Sequence, residues 1–139
     1  MLTTNKLHRY IHGAIAIAFA ILASACSKTE PQATKQVEPV LFKAQAPIAA
    51  TFTLQKEEGQ TGRSSPIGSN YRPQVRFPLG PTETTCSVQL PASAPSLEPG
   101  QSSGASLVCD ADVRVERSKP EFVATEGGKQ VANGVVQLP

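Results

Sequence analysis

Ser106 to Glu116 reads SLVCDADVRVE, and its alternation points to the fold class. Leu107, Cys109, Ala111, Val113 and Val115 share one side, while Ser106, Val108, Asp110, Asp112, Arg114 and Glu116, all polar but Val108, fall on the other. A period of two is that of a half-buried strand. Working outward, Thr51-Phe52-Thr53-Leu54 alternates in the same way. So does YRPQVRF from Tyr71 to Phe77, with Tyr71, Val75 and Phe77 on one face. Thr85 to Leu90, Phe122 to Ala124 and Val131 to Leu138 supply three more runs, the last two divided at Glu126-Gly127-Gly128. Glu57 to Asn70 is dense in Gly, Ser and Pro, as a long loop is. No segment holds a helical period. The chain is therefore expected to be all-β, about six short strands closed as a small barrel or packed as a sandwich.

The composition agrees. The chain has 139 residues, 12 Pro and 10 Gly, 5% aromatics and no Trp, so its core is built from aliphatic residues with a few Phe and Tyr. A single domain of this size gains from a cross-link. The formal charge of +2 comes from Lys6 and Arg9; without them 11 basic residues face 11 acidic ones. A neutral chain lacks the field that concentrates nucleic acid.

Those two basic residues open a leader. Ala14 to Leu22 (AIAIAFAIL) is an unbroken apolar run of nine residues after them. As a helix it rises only about 14 Å, less than half a bilayer's hydrocarbon core. Ala23-Ser24-Ala25 then offers small residues to a signal peptidase. Residues 1–25 are expected to be a secretory signal. Because Cys26 follows directly, A-S-A-C resembles a bacterial lipobox, although Ala23 stands where Leu is usual. The resemblance implies acylation of Cys26, with Ser27 favouring the outer membrane facing the periplasm. The alternative is an ordinary A-x-A site that leaves Cys26 free.

Residues 26–46 are polar, with Pro31 and Pro39, and are expected to form a lipid-anchored flexible tether. Val40-Leu41-Phe42 is the exception, a candidate for an extra edge strand. The folded domain is expected over 47–139. Within it, Cys86 and Cys109 lie on successive strands, equidistant from a turn around Leu97 to Gly100. Residues so placed on a hairpin lie opposite each other, within reach of a disulfide. An oxidising envelope compartment favours that bond, and pairing these two leaves Cys26 for the lipid. Two buried thiols or a metal pair are the alternatives.

Across residues 48–138 the chain resembles the third, C-terminal domain of elongation factor Tu. The resemblance is carried by Leu54 to Gly59 (LQKEEG), Gly62-Arg63 with Pro66, and Tyr71-Arg72-Pro73-Gln74 with Phe77. It continues in Val88 to Pro91, Pro99-Gly100, and Phe122 through Glu126-Gly127-Gly128 to Val136. It implies a six-stranded antiparallel β-barrel. It also implies a docking surface, since in that family the domain supports tRNA and exchange-factor binding. Gln74 and Gly127 match positions that touch tRNA there, and with Tyr71 and Arg72 they form the candidate binding surface. The alternative is that Tyr71, Arg72 and Gln74 define the fold and Gly127 serves its turn. Asp112 departs from the pattern, standing where a basic residue is often found.

Much chemistry is missing. The GTPase domain of that factor is absent, and Gly127-Gly128-Lys129-Gln130 lacks the spacing and hydroxyl of a phosphate loop, so GTP is not expected. Both histidines, His8 and His12, lie in the leader, leaving no imidazole for base or metal work after export. Asp110-Ala111-Asp112 begins like a calcium loop but lacks its glycine and closing glutamate. No enzyme, metal or cofactor is expected. The expected function is a lipid-anchored envelope protein whose barrel binds another protein. The alternatives are a structural or stress-related envelope lipoprotein and residual RNA binding.

Overall fold

A computed structural model describes residues 38–80 and 83–139. The expected leader, Cys26 and most of the expected tether lie outside the described residues. Every regular element within them is a strand. In chain order these are β1 Val40–Phe42, β2 Pro47–Leu54, β3 Ile67–Gly68, β4 Gln74–Arg76 and β5 Thr84–Gln89. There follow β6 Ser96–Leu97, β7 Ser102–Cys109, β8 Val113–Val115, β9 Glu121–Glu126 and β10 Lys129–Val136.

Six of these close an antiparallel barrel in the order β10-β2-β7-β5-β4-β9. They are the six strands expected from alternation, and closure settles barrel against sandwich. Closure leaves no bare edge to recruit another chain. Two short ribbons, β1-β8 and β3-β6, flank it. Inward positions of β2, namely Ile48, Ala50, Phe52 and Leu54, are all buried, and outward Pro47, Ala49 and Thr51 are exposed. The register of a closed barrel fixes this alternation, because a one-residue slip would turn every apolar side chain outward.

The strand read through Ser106 to Glu116 is corrected: it breaks at Asp110 to Asp112, which divide β7 from β8. Aspartates compete for backbone donors and so favour bends over ladders. Asp112 accepts from the Ala44 amide and from Lys43 Nζ, each at 2.9 Å. Ala111, expected on the buried face, is exposed in this bend. β8 turns away from the barrel to pair with β1, Val40 opposite Val115 and Phe42 opposite Val113. The edge-strand alternative for Val40-Leu41-Phe42 is therefore what forms, so order begins before Pro47, inside the stretch expected to be tether. The reason is burial: Val113 and Val115 are 4% and 0% exposed, and Phe42 packs against the same core.

Gly134 shows how tightly the barrel is filled. It faces inward from β10, opposite Phe52 on β2 and Phe122 on β9. Those two rings lie 6.0 Å apart, and Phe77 lies 5.7 Å from Phe122. A β-carbon at Gly134 would collide with the Thr51 carbonyl oxygen and the Phe122 ring. Gly134→Ala should therefore cost stability toward the upper end of the roughly 1–3 kcal/mol typical of overpacked cores. Urea unfolding followed by circular dichroism measures it, and an unchanged midpoint would show that the strands yield freely.

Cys86 and Cys109 are register partners across β5 and β7, bonded at 2.06 Å between sulfurs. They are 0% and 1% exposed. Neither backbone bonds the other at this pair. The Cys86 amide donates to Pro73 O, and Cys109 O accepts from the Gln45 amide. That is the close, non-hydrogen-bonded pairing in which side chains approach most nearly.

Candidate functional site

The β9–β10 turn, Gly127-Gly128, marks one end of the barrel, called here the upper end. Both glycines have positive φ, +58° and +82°, which suits residues without a β-carbon. The loop following β2 folds beside this turn. The Gly62 amide donates to Gln130 O at 2.8 Å, and Gly62 itself has φ +72° with its α-carbon against the Lys56 carbonyl. This close approach positions Arg63.

Around Tyr71 the upper end gathers a polar cluster. The Arg63 guanidinium carbon lies 5.3 Å from the Tyr71 ring centroid, and Arg63 Nη1 pairs with Glu126 Oε2. Tyr71 Oη donates to the same carboxylate oxygen at 3.4 Å, a weak bond. Lys129 Nζ holds Glu57 Oε1 at 2.8 Å alongside. Glu57, Gly62, Arg63, Ser64, Glu126 and Lys129 line a shallow depression of about 140 Å³ there.

The charges are set by these neighbours. Burial, then the Glu126 carboxylate, push the Tyr71 hydroxyl above the usual phenol range, while Arg63 opposes them. Burial works against the Arg63 charge, but Glu126 and Tyr71 outweigh it and hold the guanidinium above its ordinary range. Lys129 holds Glu57 below the usual carboxylate range. At the other end Lys43, with the Ala44 amide, does the same for Asp112.

Tyr71 is the only tyrosine among the described residues, and with Tyr10 replaced by Phe absorbance at alkaline pH reports it alone. Its half-titration should lie above the roughly 10 of free tyrosine. Glu126→Gln should bring it down and Arg63→Met should drive it further up. A raised acid binds its proton more tightly when folded, so its stabilising effect is present below the ordinary value and is lost as pH rises through the raised one. Equal titration in all three proteins would mean that the cluster does not form in solution.

The residues expected to form a surface divide between the barrel wall and its upper end. Tyr71 is half-buried within the cluster, bridged to Val88. Gln74 points outward from β4, opposite Thr125, two residues before Gly127. Arg72 also points outward, but its Nη2 reaches Asp110 Oδ2 at 2.8 Å across β5. Tyr71, Gln74 and Gly127 thus lie toward one end and Arg72 on the wall beside it.

No family model matches this chain.

Arg63 and Glu126, the ion pair beside Tyr71, are the functional candidates that sequence reasoning misses. They stand 63 positions apart, and β10, which pairs with both β2 and β9, brings their segments together. Glu126 was legible as part of a turn and Arg63 as part of the Gly62-Arg63 resemblance, but no spacing joined them. Asp110 and Asp112, read as sharing a strand face, each hold a different cation, Arg72 and Lys43. Among the described residues no group of three or more His, Cys, Asp or Glu converges as metal ligands do.

Proposed function

We propose that this chain is an exported envelope protein, held to a membrane by a lipid on Cys26. There it displays a non-catalytic barrel, similar to the third domain of elongation factor Tu, that binds another protein. The observation carrying this reading is the buried cystine in a barrel that follows an A-S-A-C leader. A cross-link sealed between β5 and β7 suits an oxidising compartment, which is where such a leader directs a chain. The upper end supplies a docking face of the right kind. Arg63 and Tyr71, residue types favoured at the centres of protein interfaces, stand together there, Arg63 paired with Glu126 and lying over the Tyr71 ring. The depression beside them, at about 140 Å³, is smaller than the roughly 300–1,000 Å³ of small-molecule sites.

Two measurements test it. Mass spectrometry of the mature N-terminus should find acyl chains on Cys26, and an unmodified Cys26 or a retained leader would overturn the anchoring. A photo-crosslinking residue at Gln74 should give a discrete protein adduct in cells that Arg63→Glu abolishes. No adduct there, with adducts from other exposed positions, would overturn the docking face. Competition by intact elongation factor Tu for that adduct would tie the surface to the resemblance.

A further inference from the structure

Three large apolar side chains stand exposed among the described residues: Leu41, Leu79 and Val135. Leu41 and Leu79 line one groove of about 380 Å³ with Lys43, Gly80, Asp112 and Arg114. The groove lies at the lower end of the barrel, where β1 pairs with β8 and where β4 runs out into Pro78 to Gly80. Leu41 sits directly opposite Arg114 in the register, so the two project on the same side of the ribbon.

We propose that this face seats on the bilayer surface, with Leu41 and Leu79 at the boundary between headgroups and acyl chains. Lys43 and Arg114 then lie beside lipid phosphates. The proposal rests on the lipid anchoring of Cys26 proposed above. Chain length carries it: Val40, which opens β1, follows Cys26 by 14 positions. Such a segment reaches at most about 50 Å. The lower end is therefore where the anchor's chain joins the barrel, at high effective concentration over the surface.

The side chains suit that place. Single exposed leucines are ordinary, but two in one groove beside cations on long aliphatic stems have the make-up of an interfacial contact. Asp112 does not spoil it, since its carboxylate is engaged by Lys43 and the Ala44 amide. With Lys43 paired to that one anion, Arg114 leaves the groove one net positive charge. Two leucines are too few to hold a free protein on a membrane, yet enough to orient one already tethered. Because the chain after the leader is formally neutral, the seat depends on the leucines more than on salt-sensitive attraction. Its consequence is that the Arg63–Tyr71–Glu126 cluster, at the opposite end, faces away from the membrane.

The absence of Trp gives a direct test. Leu41→Trp, Leu79→Trp and Gln60→Trp each create a single reporter, the last on the exposed upper loop. Each full chain is made with its own leader in a bacterium and purified from the membrane fraction. It is then reconstituted into phosphatidylethanolamine–phosphatidylglycerol vesicles with brominated acyl chains. Emission at positions 41 and 79 should shift to the blue and be quenched roughly twofold or more, as for side chains buried about 5–10 Å into the boundary, while position 60 stays unquenched. Acylated protein with all three reporters unquenched would overturn the seat and leave the anchor standing. A blue shift without bromine quenching would overturn it too, placing a protein segment over the groove. Unacylated protein would overturn the anchoring, and the seat with it.

Discussion

Phe122→Ala should lower the unfolding free energy of the barrel by about 3–5 kcal/mol, the range for truncating a buried aromatic core residue. Phe122 is 1% exposed and is the middle ring of three, with Phe52 and Phe77 on either side. Its ring also covers Gly134, which has no side chain with which to refill the space. The cavity is walled by backbone on β10 and by strands fixed in a closed register, so little collapse is available to soften the loss. Small domains are stable by only about 5–15 kcal/mol, so this one change removes a large share. The urea midpoint should fall with an unchanged slope, because the same surface is exposed on unfolding. Leu41→Ala, at a side chain 47% exposed, should stay within about 0.5 kcal/mol of the unsubstituted protein. A loss below about 1 kcal/mol for Phe122→Ala would mean the three rings do not form the centre of the core.

The contrast between Phe122 and Leu41 also shows what could be read before the structure. Alternation alone placed Phe52, Val75, Leu107 and Phe122 in strands, because a strand's side-chain period is local and needs no knowledge of neighbours. Each barrel strand coincides with one of those runs, although their ends moved. β4 shrank to Gln74–Arg76 because Tyr71 was drawn into the polar cluster, while β7 reached back to Ser102 because β2 pairs with it from Pro47 to Thr53. The break at Asp110 to Asp112 was not legible, since alternation runs through it unbroken. What ends the strand is a bond to Ala44, 68 positions away. The cluster around Tyr71 was hidden for the same reason. Arg63, Tyr71 and Glu126 come from three separate segments: pairing of β10 with β2 brings the turn after Glu126 to the loop after β2, and pairing of β4 with β9 brings up Tyr71. Cys86 with Cys109 was the long-range pair within reach of sequence, because symmetry about a turn is arithmetic.

Removing that pair should bring the second large effect. Cys86→Ala with Cys109→Ala, or full reduction of the unsubstituted protein, should cost about 3 kcal/mol, the usual result of opening a loop of this length in the unfolded chain. The bond joins residues 23 apart, and the loop it closes carries Leu97, buried in β6 and paired with Ile67 of β3. Without it the loss should be greatest where β5 and β7 begin to separate. There the Asp110 amide donates to Thr85 O and the Gln45 amide to Cys109 O, and hydrogen exchange at those two amides should accelerate first. A single Cys86→Ser should be worse than the double alanine change, since it leaves an unpaired thiol facing a hydroxyl in a space that is 0% exposed. Equal midpoints for oxidised and reduced protein would detach the cystine from stability, and with it the main physical reason for placing this barrel in an oxidising compartment. A difference of the expected size ties the two together: the chain is then less stable where thiols are kept reduced and reaches full stability in an oxidising compartment, as the proposed export requires.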